Sequence, residues 1–251
     1  FDHHGHGIHL FERECTLQRR HQKVIEEAPS AFVSNHPGLR EKLCSTAIRA
    51  AEAIGYRNAG TVEFVMSPSG EFYFIEMNTR LQVEHPVTEA ITGVDLIGWQ
   101  LDIAAGLPLT IQQNDLNITG AAVECRLYAE EPEKMFLPRP GSLGAFEPPE
   151  MDGVRVDAGV ASGAEVTPYY DPMIAKLIVW DTDRDRALQR LTQALSEYRI
   201  SGLTTNIGFL YNLAISQAFQ NGDVDTGYIE EHEAEIFRQR DRDIDYAAPL
   251  A

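Results

Sequence analysis

In the run Glu76-Met-Asn-Thr-Arg-Leu-Gln-Val-Glu-His-Pro86, two carboxylates, an amide and a guanidinium follow one another at close spacing. Side chains alternate along an extended segment, so Glu76, Asn78 and Arg80 are expected on one face. Two oxygen acceptors, a cation and then Glu84 make a poor buried strand. They make a good seat for a divalent metal beside an anion, with a carboxylate base close by. Residues 71–75, Glu-Phe-Tyr-Phe-Ile, read as a strand apolar enough to be anchored in a core. A rigid strand would then deliver the polar cluster at its end, where sites are commonly built.

Upstream, residues 61–66, Thr-Val-Glu-Phe-Val-Met, read as a partner strand joined through a Ser-Pro-Ser-Gly turn. Antiparallel folding puts Glu63 opposite Glu76 or one diagonal step away. Like charges that close destabilise a sheet unless a cation sits between them, so the hairpin itself predicts a metal. The donors are hard oxygens with neither His nor Cys, which points to Mg2+, with Mn2+ as its substitute. Glu63, Glu76 and Asn78 leave the rest of the shell to water or to substrate phosphate. An exposed acidic hairpin is the plainer alternative, and it leaves Asn78 and Arg80 unexplained.

The elements around this hairpin must hold it. The chain has 251 residues, 43% of them hydrophobic, enough for one large domain or two modest ones. Residues 39–54 carry a helical apolar stripe ending at Gly55. Residues 87–105 read as one helix stopped by Gly106 and Pro108. Residues 121–128 form a strand with Val123, Cys125 and Leu127 on one face and Glu124 and Arg126 on the other. Residues 131–160 hold short strands and turns, and residues 173–180 a buried strand. Asp183 is expected to cap a helix reaching Tyr198, with Ala187, Leu188, Leu191, Leu195 and Tyr198 inward. Asn206 and Thr226 are expected to cap two further helices. Residues 8–11 alternate like the return strand of a hairpin. Ahead of them, His3, His4 and His6 lie among Gly5 and Gly7, with His9 following, and a solvated turn is favoured over a metal cluster.

Charge and cysteine content narrow the classes. Lys and Arg total 21 against 38 Asp and Glu, a formal charge of −17. That balance argues against binding nucleic acid backbones, and Arg19, Arg20 and Lys23 are too small a basic group to change it. Cys15, Cys44 and Cys125 are odd in number and lack metal spacing, so a reducing compartment and thiols are expected. No run has the length of a membrane span, and no signal sequence opens the chain. Phe1 is not an initiator methionine, so the native N-terminus is expected elsewhere.

Several phrases resemble biotin carboxylase: Gln18-Arg-Arg-His-Gln-Lys23 with Glu26-Glu-Ala-Pro29, the run from Glu76 to Glu89, Glu124-Cys-Arg126, Phe136-Leu-Pro138 with Pro140-Gly141, and Tyr169-Tyr-Asp-Pro-Met173. The likeness runs in order from about Leu10 to His232. It is closest to the biotin-carboxylating subunit of acyl-CoA carboxylases, of the methylcrotonyl-CoA type, from Tyr170-Asp-Pro-Met-Ile-Ala-Lys-Leu-Ile-Val-Trp180 and Asp225-Thr-Gly-Tyr-Ile229. The resemblance implies an α+β chain: the C-terminal lobe of an ATP-grasp fold, an antiparallel sheet with flanking helices, continuing into the biotin carboxylase C-terminal domain. The division expected is residues 1–116, residues 120–237 and a tail over residues 238–251.

By the same resemblance, the activity is ATP-dependent carboxylation of biotin by bicarbonate through carboxyphosphate. Glu63, Glu76 and Asn78 would hold the metal. Lys23, Arg80, Gln82 and the Val83 backbone would cradle bicarbonate, and Glu84 would take its proton. Arg80 would grip the anion through two parallel hydrogen bonds. Arg126 would stabilise charge on the biotin ureido oxygen. ATP contacts would come from Gln18, His21, Lys23, Glu63, Glu76, Val65 and Tyr228, the last in place of an aliphatic residue. Plainer roles are a helix-start Glu84 and a Glu124–Arg126 surface pair. The role of Asp171 is left open.

The chain carries no glycine-rich phosphate lid, and no lysine follows Lys176, so a Met-Lys-Met carrier motif is missing too. The expectation is a C-terminal part of the enzyme, inactive or nearly so alone. Its partners would be a biotin carboxyl carrier domain holding the biotin, a carboxyltransferase component and a second copy, with no nucleic acid or membrane. Cytoplasm, or the mitochondrial matrix in a eukaryote, is the expected compartment. Two other readings stay open: a different ATP-grasp carboxylate ligase, and a non-catalytic assembly or regulatory domain.

Overall fold

The computed structural model describes residues 1–238, so the expected tail lies outside them except for Arg238, the last residue of a short helix Glu233–Arg238. The chain forms two compact units. Among the described residues, one comprises Phe1–Glu14 and Glu27–Ala122, the other Cys15–Glu26 and residues 123–238. Among the described residues no helix is long and apolar enough to cross a membrane.

The first unit is organised by a helix, Leu39–Ala53, and a two-stranded antiparallel ribbon, Thr61–Met66 and Phe72–Asn78. Leu39 and Leu43 recur at helical spacing and join Val33 in a small core, against which Phe32, Phe64, Met66 and Phe72 pack. The helix ends at Ile54, with Gly55 in the left-handed region (φ 62°) that glycine adopts at low cost. The ribbon pairs Phe64 with Phe74 and Met66 with Phe72, then shifts register so that Glu63 faces Glu76 and Thr61 faces Asn78. Ile75 is the extra residue of this bulge.

Only one face of the ribbon is covered. Tyr73, Phe74 and Ile75 are 59%, 60% and 55% exposed, so within this apolar run only Phe72 anchors the strand to the core, not the whole segment as its composition implied. Tyr73 pairs with Val65 on the uncovered face, whereas Phe74 shares the face of Phe64 and remains exposed there. The single helix expected over residues 87–105 is in fact two, His85–Thr92 and Leu96–Ala104. Gly93 takes φ 73° and ends the first, and the Asp95 side chain accepts from the Gly98 N–H at 2.8 Å to start the second. Residues 8–11 form no strand, and the local ladder is a single bridge between Glu14 and Glu27. The histidine-rich start is a turn, in which the Asp2 carboxylate accepts from the His4 and His6 N–H groups at 2.8 and 2.9 Å.

A sheet with most of its residues in the second unit runs in the order Val154–Ala158, Met173–Asp181, Ala121–Tyr128, Ile25–Ala28. Val123, Cys125 and Leu127 are fully buried, and the helix Arg184–Glu197 buries Ala187, Leu188, Leu191 and Leu195, as the apolar pattern predicted. Asp183 caps that helix, its carboxylate accepting from the Arg186 N–H at 2.9 Å. Such a cap contributes about 1 kcal/mol. The two other expected caps differ. Asn206 precedes the helix Ile207–Ile215 without capping it, and Gly227, not Thr226, precedes the helix Tyr228–Glu231. None of the three cysteines is in a disulfide, and burial pushes the Cys44 thiol up to about 12 and the Cys125 thiol up as well.

The second face of the strand Ala121–Tyr128 is not a wet one. Glu124 is fully buried, with Lys176 Nζ 3.8 Å away, and Lys176 also lies 3.5 Å from Asp157. Nearby, burial raises the Glu130 carboxyl to about 7, against the pull of Arg19 at 3.5 Å and with the push of Asp171. Between the ordinary value of 4.5 and about 7, the folded chain holds a proton that the unfolded chain has released. Stability from this group therefore falls as pH rises through that window. Urea unfolding of Glu130→Gln against the unaltered chain should show the variant gaining relative stability from pH 5 to pH 8. A relative loss over that interval contradicts the assignment.

Candidate active site

The bulge sets the geometry of the first unit's polar cluster. Without it the pairing of Phe64 with Phe74 would carry on to Glu63 with Ile75, and Glu76 would point to the opposite face. With it, Glu63 and Glu76 stand opposite each other, and Asn78 shares their face. Asn78 Nδ2 donates to Glu76 Oε1 at 2.9 Å and to Glu63 Oε1 at 3.1 Å. The amide nitrogen thus lies between the two carboxylates, where their mutual repulsion calls for positive charge.

That donor set fits a hard divalent cation. It offers carboxylate and amide oxygens, which suit Mg2+, and leaves room for water or phosphate oxygen. Among the described residues no three His, Cys, Asp or Glu side chains form a metal cluster, so this pair of carboxylates with its amide is a minimal set. An Asn78 that ligates a cation must turn its amide, because the nitrogen now faces the carboxylates and only the oxygen can coordinate.

The strand stops at Asn78, so alternation does not extend to Arg80. Arg80 is exposed and its Nη1 donates to the Leu81 carbonyl at 3.2 Å. Gln82 is 5% exposed; its Nε2 donates to Glu63 Oε1 at 2.7 Å and its Oε1 accepts from Arg13 Nη2. Glu84 is 2% exposed at the N-cap position of the helix His85–Thr92, yet makes no side-chain bond to the helix N–H groups. A simple capping role therefore does not describe it. His85 is held by its Nδ1, 2.8 Å from the Gln82 carbonyl. Val65 is half exposed on the ribbon, on the same strand face as Glu63.

In the second unit, Gln18–Arg19 and Gln22–Lys23 form a tight hairpin with Gln18 opposite Lys23. Its two turn residues, Arg20 and His21, have φ 48° and 67°, a left-handed turn that glycine or asparagine adopts more readily. No sequence signal announced it. The turn holds His21 exposed. Tyr228 is buried and stacks on His232, ring centroids 4.5 Å apart. The Asp171 carboxylate accepts from the Met173 N–H at 2.8 Å.

Arg126 is fixed by Glu26, which is fully buried: Nε donates to Glu26 Oε1 at 2.7 Å and Nη2 reaches the same oxygen at 2.5 Å. Losing one partner of a buried pair of this kind costs about 3–5 kcal/mol. The strand around it is clamped by Asn206, whose Oδ1 accepts from the Tyr128 N–H at 2.8 Å and whose Nδ2 donates to the Arg126 carbonyl at 3.0 Å. Sequence reasoning missed Arg13, Glu26 and Asn206 as supports, because each acts across 69, 100 and 80 residues respectively.

Comparison with known proteins bears on this arrangement. The family model "Carbamoyl-phosphate synthase L chain, ATP binding domain" matches residues 1–112, and "Biotin carboxylase C-terminal domain" matches residues 124–231. Biotin carboxylase 2 of Bacillus subtilis is 54% identical over 92% of this chain and 51% of its own length. The mitochondrial methylcrotonoyl-CoA carboxylase subunit alpha of Dictyostelium discoideum is 53% identical over 92% of this chain and 33% of its own. A solved dimer of the Hydrogenobacter thermophilus 2-oxoglutarate carboxylase biotin carboxylase domain, in complex with MgADP, ADP and bicarbonate, superposes with a TM-score of 0.91. It is 47% identical and is matched over 94% of this chain and 51% of that one. The α+β, ATP-grasp reading of the fold agrees with these neighbours. Both models match in order, and the chain is similar to biotin carboxylases across nearly its whole sequence, spanning about half the length of B. subtilis biotin carboxylase 2.

Proposed function

We propose that the protein containing this chain carboxylates carrier-borne biotin with bicarbonate and ATP, and that this chain contributes metal, bicarbonate and biotin residues to that reaction. The observation that carries the reading is the convergence of Glu63, Glu76 and Asn78 on one ribbon face, tied through Gln82 to the segment bearing Arg80 and Glu84. A relative of high structural similarity holds MgADP and bicarbonate, which supports the same assignment.

Each residue has a task that its chemistry suits. Glu63, Glu76 and Asn78 hold Mg2+, which when bound neutralises charge on the ATP phosphates. Arg80 offers a planar fork to bicarbonate, with Gln82 and the Val83 backbone as further donors. Glu84 is an acceptor in a dry setting, able to take the bicarbonate proton once the anion lies within hydrogen-bond reach. In the second unit, Lys23 offers a cation to an anionic group, and Gln18, His21 and Tyr228 are assigned to the nucleotide. Arg126, held by Glu26, presents a fixed positive charge to oxyanion character on the biotin ureido oxygen. The carrier domain, a carboxyltransferase component and a second copy of the chain are the proposed partners, the last in line with a relative solved as a dimer. The domain assignment belongs to the same proposal: metal and bicarbonate residues over 1–116, the C-terminal domain over 120–237.

Two measurements on the longer protein that carries this chain test the roles. Glu84→Gln should lower bicarbonate-dependent ATP hydrolysis at least ~100-fold, followed by phosphate release; a normal rate removes Glu84 as the base. Arg126→Met should lower biotin carboxylation roughly 100- to 1,000-fold while ATP hydrolysis continues. Equal losses in both would place Arg126 elsewhere in the reaction.

A further inference from the structure

We propose that Arg13 is a positioning residue for the cation site: it locks the Gln82 amide in the one orientation that holds Glu63, and so sets the carboxylate that a cation would meet. The proposal rests on the reading of Glu63, Glu76 and Asn78 as metal ligands.

Arg13 reaches three separate elements. Nη1 donates to Thr88 Oγ1 at 2.9 Å on the helix His85–Thr92. Nη2 donates to Thr61 Oγ1 at 3.1 Å on the ribbon and also to Gln82 Oε1 in the loop between them. Thr61 is the register partner of Asn78, so the guanidinium touches the strand residue directly across from a proposed ligand.

The chemistry of Gln82 makes this more than a strut. A guanidinium only donates, and an ionised carboxylate only accepts. The amide between them therefore has one workable orientation, Oε1 toward Arg13 and Nε2 toward Glu63, where it donates at 2.7 Å. The reversed amide would set N–H against N–H and oxygen against carboxylate. Gln82 is 5% exposed, which keeps bulk water from offering an easy substitute. Glu63 Oε1 takes a second amide bond from Asn78, so its rotamer is fixed from two sides. The positive charge of Arg13, one amide away, also offsets the cost of facing Glu63 with Glu76. Supports of this kind orient ligands in metal sites generally.

The test uses the 251-residue chain with Mn2+ as the probe, comparing unaltered protein, Arg13→Met and Glu76→Gln. The Gln82 side-chain amide is followed by NMR and the Mn2+ Kd by electron paramagnetic resonance, with circular dichroism as the check on folding. In the unaltered chain the Gln82 amide protons should be shifted and slow to exchange. Arg13→Met should return them toward values of a solvated glutamine and raise the Mn2+ Kd roughly tenfold or more. Unchanged Gln82 signals in Arg13→Met overturn the relay, whatever the cation does. Moved signals with an unchanged Mn2+ Kd overturn its link to the metal. Failure of the metal reading looks different: Glu76→Gln and the unaltered chain would bind Mn2+ equally well, or equally not at all, while Gln82 still responds to Arg13→Met. If Arg13→Met does not fold, Arg13→Lys replaces it, because one ammonium cannot reproduce a fork reaching all three acceptors.

Discussion

Two glutamates facing each other across a narrow ribbon are an unfavourable arrangement, and the first unit is built around tolerating it. Opposed carboxylates repel, and a sheet that offers no compensation should avoid the pairing. Here the Asn78 amide nitrogen lies between them, the Gln82 amide supports one of them, and the Arg13 guanidinium stands behind Gln82. These donors make the arrangement bearable without cancelling its net negative charge. What remains is a local demand for a cation, held in a geometry that needs only one amide to turn before oxygen replaces nitrogen.

The second unit holds the mirror-image feature, a cation fixed by a buried anion. Arg126 sits on a strand whose other members are buried, and its charge is matched by Glu26 in the interior. Asn206 holds the strand's carbonyl and N–H on either side of that position, so both backbone and side chain are constrained. A guanidinium fixed this way would lose little freedom on meeting a negative charge, as the role proposed for Arg126 requires. The row from Glu124 through Lys176 to Asp157 runs from the buried interior to a partly exposed carboxylate across neighbouring strands.

How much of this was legible depended on range. Periodicity gave the helices Leu39–Ala53 and Arg184–Glu197 and the strand Ala121–Tyr128 because their apolar spacing answers to local cores. Facing of Glu63 and Glu76 was within reach of hairpin logic, but the bulge that produces it was not, since no glycine or proline marks Ile75. The helix break at Gly93 and Asp95 was written in the sequence and overridden by the apolar run around it. Burial of Glu124 was illegible because a polar residue in an alternating strand reads as solvent-facing until the layer above it is known. Asn206 looked like a helix cap and serves a strand instead, a choice only tertiary structure makes. Glu63, Glu76, Asn78, Arg80 and Glu84 were read from spacing and the other residues of the proposed site from resemblance; the supports at Arg13 and Glu26 come from long-range contacts that spacing does not encode.

The bulge at Ile75 also makes the ribbon a counting device. Chain length between the core-facing aromatics and the acidic pair decides which side of the ribbon the acids occupy. Removing Ile75 would leave a regular ladder that still opposes Glu63 to Glu76, losing only the local bend. Adding one residue to a ladder unable to absorb a second bulge would turn Glu76 and Asn78 toward the packed side and strand two polar groups against Phe64 and Phe72. Length variation in this strand should thus be asymmetric in descent: shortening by one survivable, lengthening by one ruinous.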